Sequence, residues 1–303
     1  MSPGRELLVR HPGNPILTWR DVPVPVNAIY NPGAARVGER TLLLPRVEYT
    51  SRDNDLHCAW SSDGVHFAVE PEPIAIDVPP AERPFEHHRY DPRITELDGE
   101  YLIAYCAQDF GEMVRIGLAR TVDFRRFERI GFITEPWNRN CAIFPERIGG
   151  LYARLDRPMN GASDAVTFVS FSPDLIHWGQ SRPVVIRPAT WLRNKWGIGP
   201  TPIKTRRGWL VIIHGVWIAI APVYRLGVIL LDLEEPWRVV GQCPHAILTP
   251  TEGYERVGEV NNCVFSNGAV VDPDGTVRVY YGAADTCIGL ATAPLDDLLA
   301  ACV

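Results

Sequence analysis

Residues 61–67 read SSDGVHF, and this stretch decides the fold because it returns along the chain. Related strings stand at residues 121–127 (TVDFRRF), 172–178 (SPDLIHW), 231–237 (LDLEEPW) and, more weakly, 294–299 (PLDDLL), centred on Asp63, Asp123, Asp174, Asp232 and Asp296. Each is an Asp-containing turn placed before an aromatic or apolar residue and after two β-rich runs. Units repeating at roughly fifty to sixty-five residues mark a propeller or solenoid. The first β-rich run of each unit covers Thr41 to Tyr49, Tyr101 to Ala107, Leu151 to Leu155, Trp209 to Val216 and Val277 to Gly282. Its partner covers Asp55 to Ser61, Val114 to Ala119, Ala165 to Phe171, Tyr224 to Leu231 and Ile288 to Ala293. All are rich in β-branched and aromatic residues, with Gly, Pro, Asn or Asp between them. Helical periodicity is confined to a last turn at Leu295 to Ala301.

An all-β, five-bladed β-propeller occupying residues 1–303 as one domain follows, since five four-strand units use the chain without a long structureless loop. A β-sandwich with decorated loops is the alternative. The composition agrees with a folded chain: 46% hydrophobic and 22% charged residues supply a core and exclude disorder. A formal charge of −6 lacks the basic excess of nucleic-acid binders, so nucleic acid is not an expected partner. Seven scattered cysteines without a Cys-x-x-Cys pair read as free thiols, and no metal site is indicated. The start Met-Ser-Pro-Gly-Arg-Glu has no apolar stretch, and the apolar run from Trp209 to Val223 is broken by His214 and Pro222. The expectation is a cytoplasmic protein that engages no membrane, with its oligomeric state open.

A propeller gathers side chains from every blade at one end of its channel. Asn31, Asp91, Arg139, Asn140, Arg157, Lys195, His214 and Asp285 all stand where a polar residue interrupts an inner strand or the turn before it. Asp91 is framed in Tyr-Asp-Pro-Arg-Ile-Thr, and Arg139, Arg157, Lys195 and His214 follow it. Most sugar-cleaving enzymes need two carboxylates, so a basic cluster in place of the second acid points from hydrolysis to phosphorolysis. Arg suits such a site because its planar fork donates two parallel hydrogen bonds to phosphate, and Lys adds a point charge. Taken singly, Asp91 before Pro92 is a turn residue, His214 a satisfied core histidine and each Arg or Lys a solvated charge.

The chain resembles glycoside hydrolase family 130, the β-mannoside phosphorylases. The resemblance runs through residues 11–23 (HPGNPILTWRDVP), 90–95 (YDPRIT), 142–158 (AIFPERIGGLYARLDRP), 172–179 (SPDLIHWG), 199–216 (GPTPIKTRRGWLVIIHGV), 224–228 (YRLGV) and 280–286 (YYGAADT). It is strongest to the branch acting on β-1,4-mannooligosaccharides and β-1,4-mannosyl-N-acetylglucosamine. It implies a five-bladed propeller with Asp91 as the single catalytic acid, passing its proton through the mannose 3-hydroxyl. It implies phosphate binding by Arg139, Asn140, Arg157, Lys195 and His214, and mannosyl binding by Asn31, Arg46 and Asp285. Tyr224, Tyr254 and Trp137 are aromatic candidates for stacking on the acceptor sugar. Asn31-Pro32-Gly33 also reads as a plain turn, and Asp285 as a strand-end cap.

The expected activity is inverting phosphorolysis of a β-mannoside to α-mannose 1-phosphate, with phosphate as co-substrate and no cofactor. The partners are therefore a β-mannoside and phosphate. β-1,2-Linked substrates stay open, partly because Pro45 before Arg46 and the Ile-Gly-Pro-Thr-Pro run at 198–202 depart from the family's usual pattern. Two rivals remain: a hydrolase using Glu146 or Glu259 as its second carboxylate, and a sugar-binding propeller without catalysis.

Overall fold

A computed structural model describes residues 6–159, 166–218 and 220–303. Five antiparallel sheets follow one another along the chain. The first blade comprises Val26–Val37, Arg40–Tyr49, Asn54–Ser61 and Ala68–Pro73; the second His88–Leu97, Glu100–Gln108, Val114–Thr121 and Glu128–Phe132. The third comprises Asn138–Ile143, Tyr152–Pro158, Phe168–Ser172 and Gly179–Pro183. The fourth holds Lys195–Ile198, Gly208–Ile218, Pro222–Leu231 and Val239–Gln242, with Ile203–Thr205 as an extra pairing segment. The fifth holds Val264–Val271, Thr276–Ala283 and Cys287–Pro294, and takes its fourth strand from Val9–Arg10 near the start of the chain.

Why the second strands read as unbroken apolar runs is visible in the packing. Successive side chains of a strand point to opposite faces, and here both faces are covered by a neighbouring blade. Leu42 and Leu44 pack toward Ile103 and Tyr105 of the second blade, whereas Leu43 between them packs toward Tyr280 and Leu290 of the fifth. The fourth blade repeats the alternation: Trp209, Val211 and Ile213 face the third blade, Leu210 and Ile212 the fifth. Each of the five apolar clusters thus belongs to one interface between adjacent blades, and every fully buried Leu or Ile there contributes about 1.5–3 kcal/mol.

The repeated aspartate strings are the turns from third to fourth strand. Asp63 Oδ1 accepts the backbone N–H groups of Val65 and His66, each at 2.8 Å. Asp123, Asp174 and Asp232 capture the same pair of N–H groups two and three residues on. The fifth string departs from this pattern. Asp296 lies in the first turn of the helix Leu295–Ala301, where a negative charge suits the helix N-terminus, and the helix buries Leu298 and Leu299 against the last interface. The expected strand at Ala165 to Phe171 is observed as Phe168–Ser172, and Ala165 lies outside the described residues. A short helix, Gly253–Arg256, was not anticipated.

The innermost strands carry the feature that positions the site. Register shifts fall between Tyr30 and Gly33, between Tyr90 and Arg93, and between Arg139 and Ala142, in the first three blades. Inside each shift one residue adopts the left-handed conformation: Asn31 at φ 47°, Asp91 at φ 51° and Asn140 at φ 57°. A bulge of this kind bends the strand and re-aims a side chain, and Asn and Asp tolerate positive φ better than other non-glycine residues. Asn31-Pro32-Gly33 is therefore a strand bulge and not the plain turn its composition suggests.

Candidate active site

The inner strands of all five blades surround one pocket of about 140 Å³. Asn31, Arg46, Asp91, Arg139, Asn140, Arg157, Lys195, His214, Tyr224 and Asp285 all line it, so these ten expected residues converge there. Asn31 and Arg46 come from the first blade, Asp91 from the second, and Arg139, Asn140 and Arg157 from the third. Lys195, His214 and Tyr224 come from the fourth, and Asp285 from the hairpin between the last two strands of the fifth.

The cationic side is built around Arg157. The Asn140 side-chain oxygen accepts Arg157 NH1 at 3.0 Å and NH2 at 2.9 Å, and the Trp196 carbonyl accepts NH1 at 3.2 Å. NH1 also lies 3.3 Å from His214 Nε2, which makes this nitrogen the acceptor and the imidazole neutral at that atom. Burial, then the charges of Arg157, Arg93 and Lys195, push the His214 pKa well below the usual imidazole range. His214 thus adds no charge to the cluster, contrary to its expected place among four basic groups, and serves as a neutral partner that orients Arg157. Burial and the neighbouring arginines lower the Lys195 ammonium, and burial followed by Arg139 takes the Arg157 guanidinium down to about 10. No carboxylate pairs with Arg139, Arg157 or Lys195 among the described residues. Packed cations that repel one another in this way form a site for an anion.

The acidic side faces it. Asn31 Nδ2 donates to Asp91 Oδ1 at 3.0 Å. Asp285 is raised to about 7, first by burial and then by the negative charge of Asp91, with Arg46 acting in the other direction. Arg46 is sandwiched between the rings of Tyr30 and Tyr90, 4.8 and 4.6 Å from their centroids, and its Nε donates to Asn54 Oδ1 at 2.6 Å.

Two contributions escaped the sequence reading. Tyr90 lines the pocket and anchors its hydroxyl on Gln108 at 2.6 Å, and Val260, Cys263 and Phe265 complete the wall. Arg93, inside the Tyr-Asp-Pro-Arg-Ile-Thr motif but given no role, is 1% exposed. It donates to the carbonyls of Asp91 (2.9 Å), Gly199 (3.0 Å) and Ile198 (2.8 Å), tying the second blade to the fourth beneath the pocket.

Other candidates lie elsewhere. Glu146 pairs with Lys204 at another cleft, and Glu259 is an exposed partner of Arg52 at 3.4 Å, so neither lines the pocket. Tyr254 packs into the core with its hydroxyl 3.3 Å from that of Tyr281. Trp137 is 45% exposed in a neighbouring cleft that shares Arg139 with the pocket. Asp53, His87 and His88 place ligand-type atoms within 4.8 Å of one another, with His87 Nε2 and Asp53 Oδ1 paired at 3.0 Å. All seven cysteines are free and buried, and no helix is long and apolar enough to cross a membrane among the described residues.

The profile of the family described as beta-1,4-mannooligosaccharide phosphorylase matches residues 13–303. A beta-1,4-mannooligosaccharide phosphorylase of Ruminococcus albus is 33% identical over 308 residues, covering 97% of this chain and 90% of that protein. A 1,2-beta-oligomannan phosphorylase of Thermoanaerobacter sp. is 36% identical over 276 residues, covering 89% of each. The solved beta-1,2-mannobiose phosphorylase of Listeria innocua, in complex with beta-1,2-mannobiose, matches with a TM-score of 0.87 at 28% identity, covering 97% of this chain and 99% of that one. With its five blades, a central pocket of opposed cations and carboxylates, and a family match reaching from residue 13 to its last residue, the chain belongs to glycoside hydrolase family 130.

Proposed function

We propose that the chain is an inverting β-mannoside phosphorylase, a hexosyl-transferring enzyme that uses inorganic phosphate to release α-mannose 1-phosphate. The observation that carries this reading is the convergence of three mutually repelling cations with two carboxylates in one pocket. Phosphate sits against Arg139, Asn140, Arg157 and Lys195, with His214 steadying Arg157. Asn31, Arg46 and Asp285 hold the mannosyl unit, and Tyr224 stacks on the acceptor sugar. A phosphate oxygen attacks the anomeric carbon, the bond to the leaving sugar oxygen breaks, and the Asp91 proton reaches that oxygen through the mannose 3-hydroxyl. Positioning and charge stabilisation supply the catalysis, so no metal or organic cofactor takes part. The use of inorganic phosphate and seven free thiols accord with a cytoplasmic setting.

The preferred linkage is β-1,4, as in the family description and the Ruminococcus relative. The test is incubation with β-1,4- and β-1,2-mannosides, each with and without phosphate, scoring mannose 1-phosphate and free mannose. Phosphate-dependent mannose 1-phosphate from the β-1,4 substrate is expected. Free mannose released at the same rate without phosphate would overturn phosphorolysis in favour of a hydrolase, and mannose 1-phosphate from the β-1,2 substrate alone would reassign the linkage.

A further inference from the structure

Arg93 reaches across the central channel. The second and fourth blades are not neighbours in the ring, because the third stands between them, yet one guanidinium joins the two. Its Nη1 donates to the Asp91 carbonyl at 2.9 Å, inside the left-handed bulge that carries the acid. From the other side, Nε donates to the Gly199 carbonyl at 3.0 Å and Nη2 to the Ile198 carbonyl at 2.8 Å. Two pocket-lining side chains cover it: the Asn140 amide lies 3.4 Å from Nη2, and the Phe265 ring centroid lies 5.9 Å from Cζ. At 1% exposure Arg93 does not line the pocket itself, so it touches no substrate.

The fourth-blade end of this bridge is held closely. A Cβ on Gly199 would lie 2.8 Å from the Ile212 carbonyl oxygen and 3.0 Å from that of Ser266, so the close approach of this strand requires glycine. A separate tie joins the same two blades: the hydroxyls of Thr95 and Thr201 meet at 3.0 Å, and Thr201 donates to the Ile94 carbonyl at 2.9 Å. The blades are therefore joined without Arg93. Arg93 has no ion-pair partner among the described residues, and burying an unpaired charge is unfavourable. An apolar side chain could fill the same space, but it could not fix carbonyls from two different blades.

We infer that Arg93 is a positioning residue that registers the acid of the second blade against the anion-binding strand of the fourth, so that Asp91 and the phosphate meet one anomeric carbon from fixed places. The strand Lys195–Ile198 begins at the Lys195 ammonium and ends at a carbonyl that Arg93 holds. The other end of the bridge holds the backbone of Asp91 itself. Arginine suits the task because its planar fork sends donors in fixed directions, whereas lysine keeps the charge and loses the fork. The inference rests on the phosphorylase reading for its kinetic consequence, but the bridge between the blades does not.

The test compares wild type with Arg93→Lys and Gly199→Ala, the second leaving the guanidinium in place while displacing one of its acceptors. Circular dichroism confirms the fold, calorimetry with inorganic phosphate gives Kd, and mannose 1-phosphate release gives kcat and KM. In Arg93→Lys, kcat falls about tenfold to a hundredfold, since a misplacement near 1 Å costs about a hundredfold. Phosphate Kd and KM for the mannoside each stay within about threefold. Gly199→Ala shows the same split in smaller measure, and it carries the test if Arg93→Lys does not fold. A folded variant with kcat within about twofold of wild type makes the bridge a structural tie alone, and a phosphate Kd raised about tenfold or more in step with kcat makes Arg93 part of the anion site; either result overturns the inference. Amide hydrogen exchange gives a readout that needs no turnover: Arg93→Lys speeds exchange both at residues 90–93 and at residues 196–199, and unaltered exchange in either segment overturns the bridge. If both segments respond in a protein that releases no mannose 1-phosphate even as wild type, the registration of the two blades stands and the phosphorylase reading alone falls.

Discussion

Gly197→Ala adds one methyl group and removes no charge, yet it strikes the cationic cluster proposed to hold phosphate at its centre. Gly197 stands opposite His214 in the sheet register of the fourth blade. A Cβ there would lie 2.6 Å from the side-chain amide of Asn140, 2.7 Å from His214 Cε1 and 2.8 Å from Arg157 NH1. Ordinary contacts are about 3.5–4 Å, so all three groups must retreat by roughly 1 Å, and the two that frame Arg157 must do so together. Forcing a methyl into a packed site costs about 1–3 kcal/mol of stability. A displacement near 1 Å of groups that position a reactant costs about a hundredfold in rate. The expectation is a folded variant whose kcat/KM for phosphate falls about tenfold to a hundredfold, while its KM for the mannoside stays within about twofold. The assay is initial-rate release of mannose 1-phosphate across a phosphate series at saturating mannoside, with circular dichroism to confirm the fold. A folded variant whose phosphate kinetics stay within about twofold of wild type would show that the anion does not sit among these three side chains.

Four further outcomes are expected. Asp91→Asn keeps the fold and phosphate binding but loses about 10²–10⁴ in kcat, the range for removing a general acid, as steady-state kinetics would show. Phosphate at about a hundred times its Kd stabilises the wild type by about 2.7 kcal/mol, seen as a raised Tm, and Lys195→Ala removes most of that gain. Asp285 is raised to about 7 by burial and by Asp91. Between about pH 4 and 7 the native state therefore keeps a proton that the unfolded chain has released, and stability falls as pH rises through that window. Asp285→Asn should flatten this slope by about 1–3 kcal/mol in denaturant midpoints across the window, whereas an unchanged slope would refute the shift. Asp156 is buried, accepts Asn138 Nδ2 at 2.8 Å and pairs with Arg154 at 3.2 Å. Asp156→Ala leaves a buried guanidinium uncompensated and should cost about 3–5 kcal/mol in chemical unfolding, with a loss under about 1 kcal/mol counting against the pair.

The strands were legible because their signals are local. A run such as Leu42-Leu43-Leu44 is apolar at every position since each face meets another blade, and the aspartate turns recur because one carboxylate satisfies two successive N–H groups. The inner bulges were not legible. Asn31-Pro32-Gly33 has the composition of a turn, and only pairing with Arg40–Tyr49 makes it part of a strand. Val9–Arg10 is two residues long and acquires strand character from Cys287–Pro294 alone. The residues that line the pocket were named through motif resemblance, but their electrostatics depend on distant neighbours. Nothing adjacent in the sequence shows that His214 is neutral or that Asp285 confronts Asp91. Arg93 belongs to a residue type that is rarely buried, and its three carbonyl partners come from two blades.

The pairing of Val9–Arg10 with Cys287–Pro294 works as a clasp. Because the pocket draws at least one side chain from each blade, it exists only while the ring is shut. Undoing the clasp would let the fifth blade swing from the first, parting Asp285 from Asn31 and Asp91. Loss of catalysis and loss of closure are thus one event, and a covalent staple across the clasp should extend the working temperature without touching any residue that meets substrate.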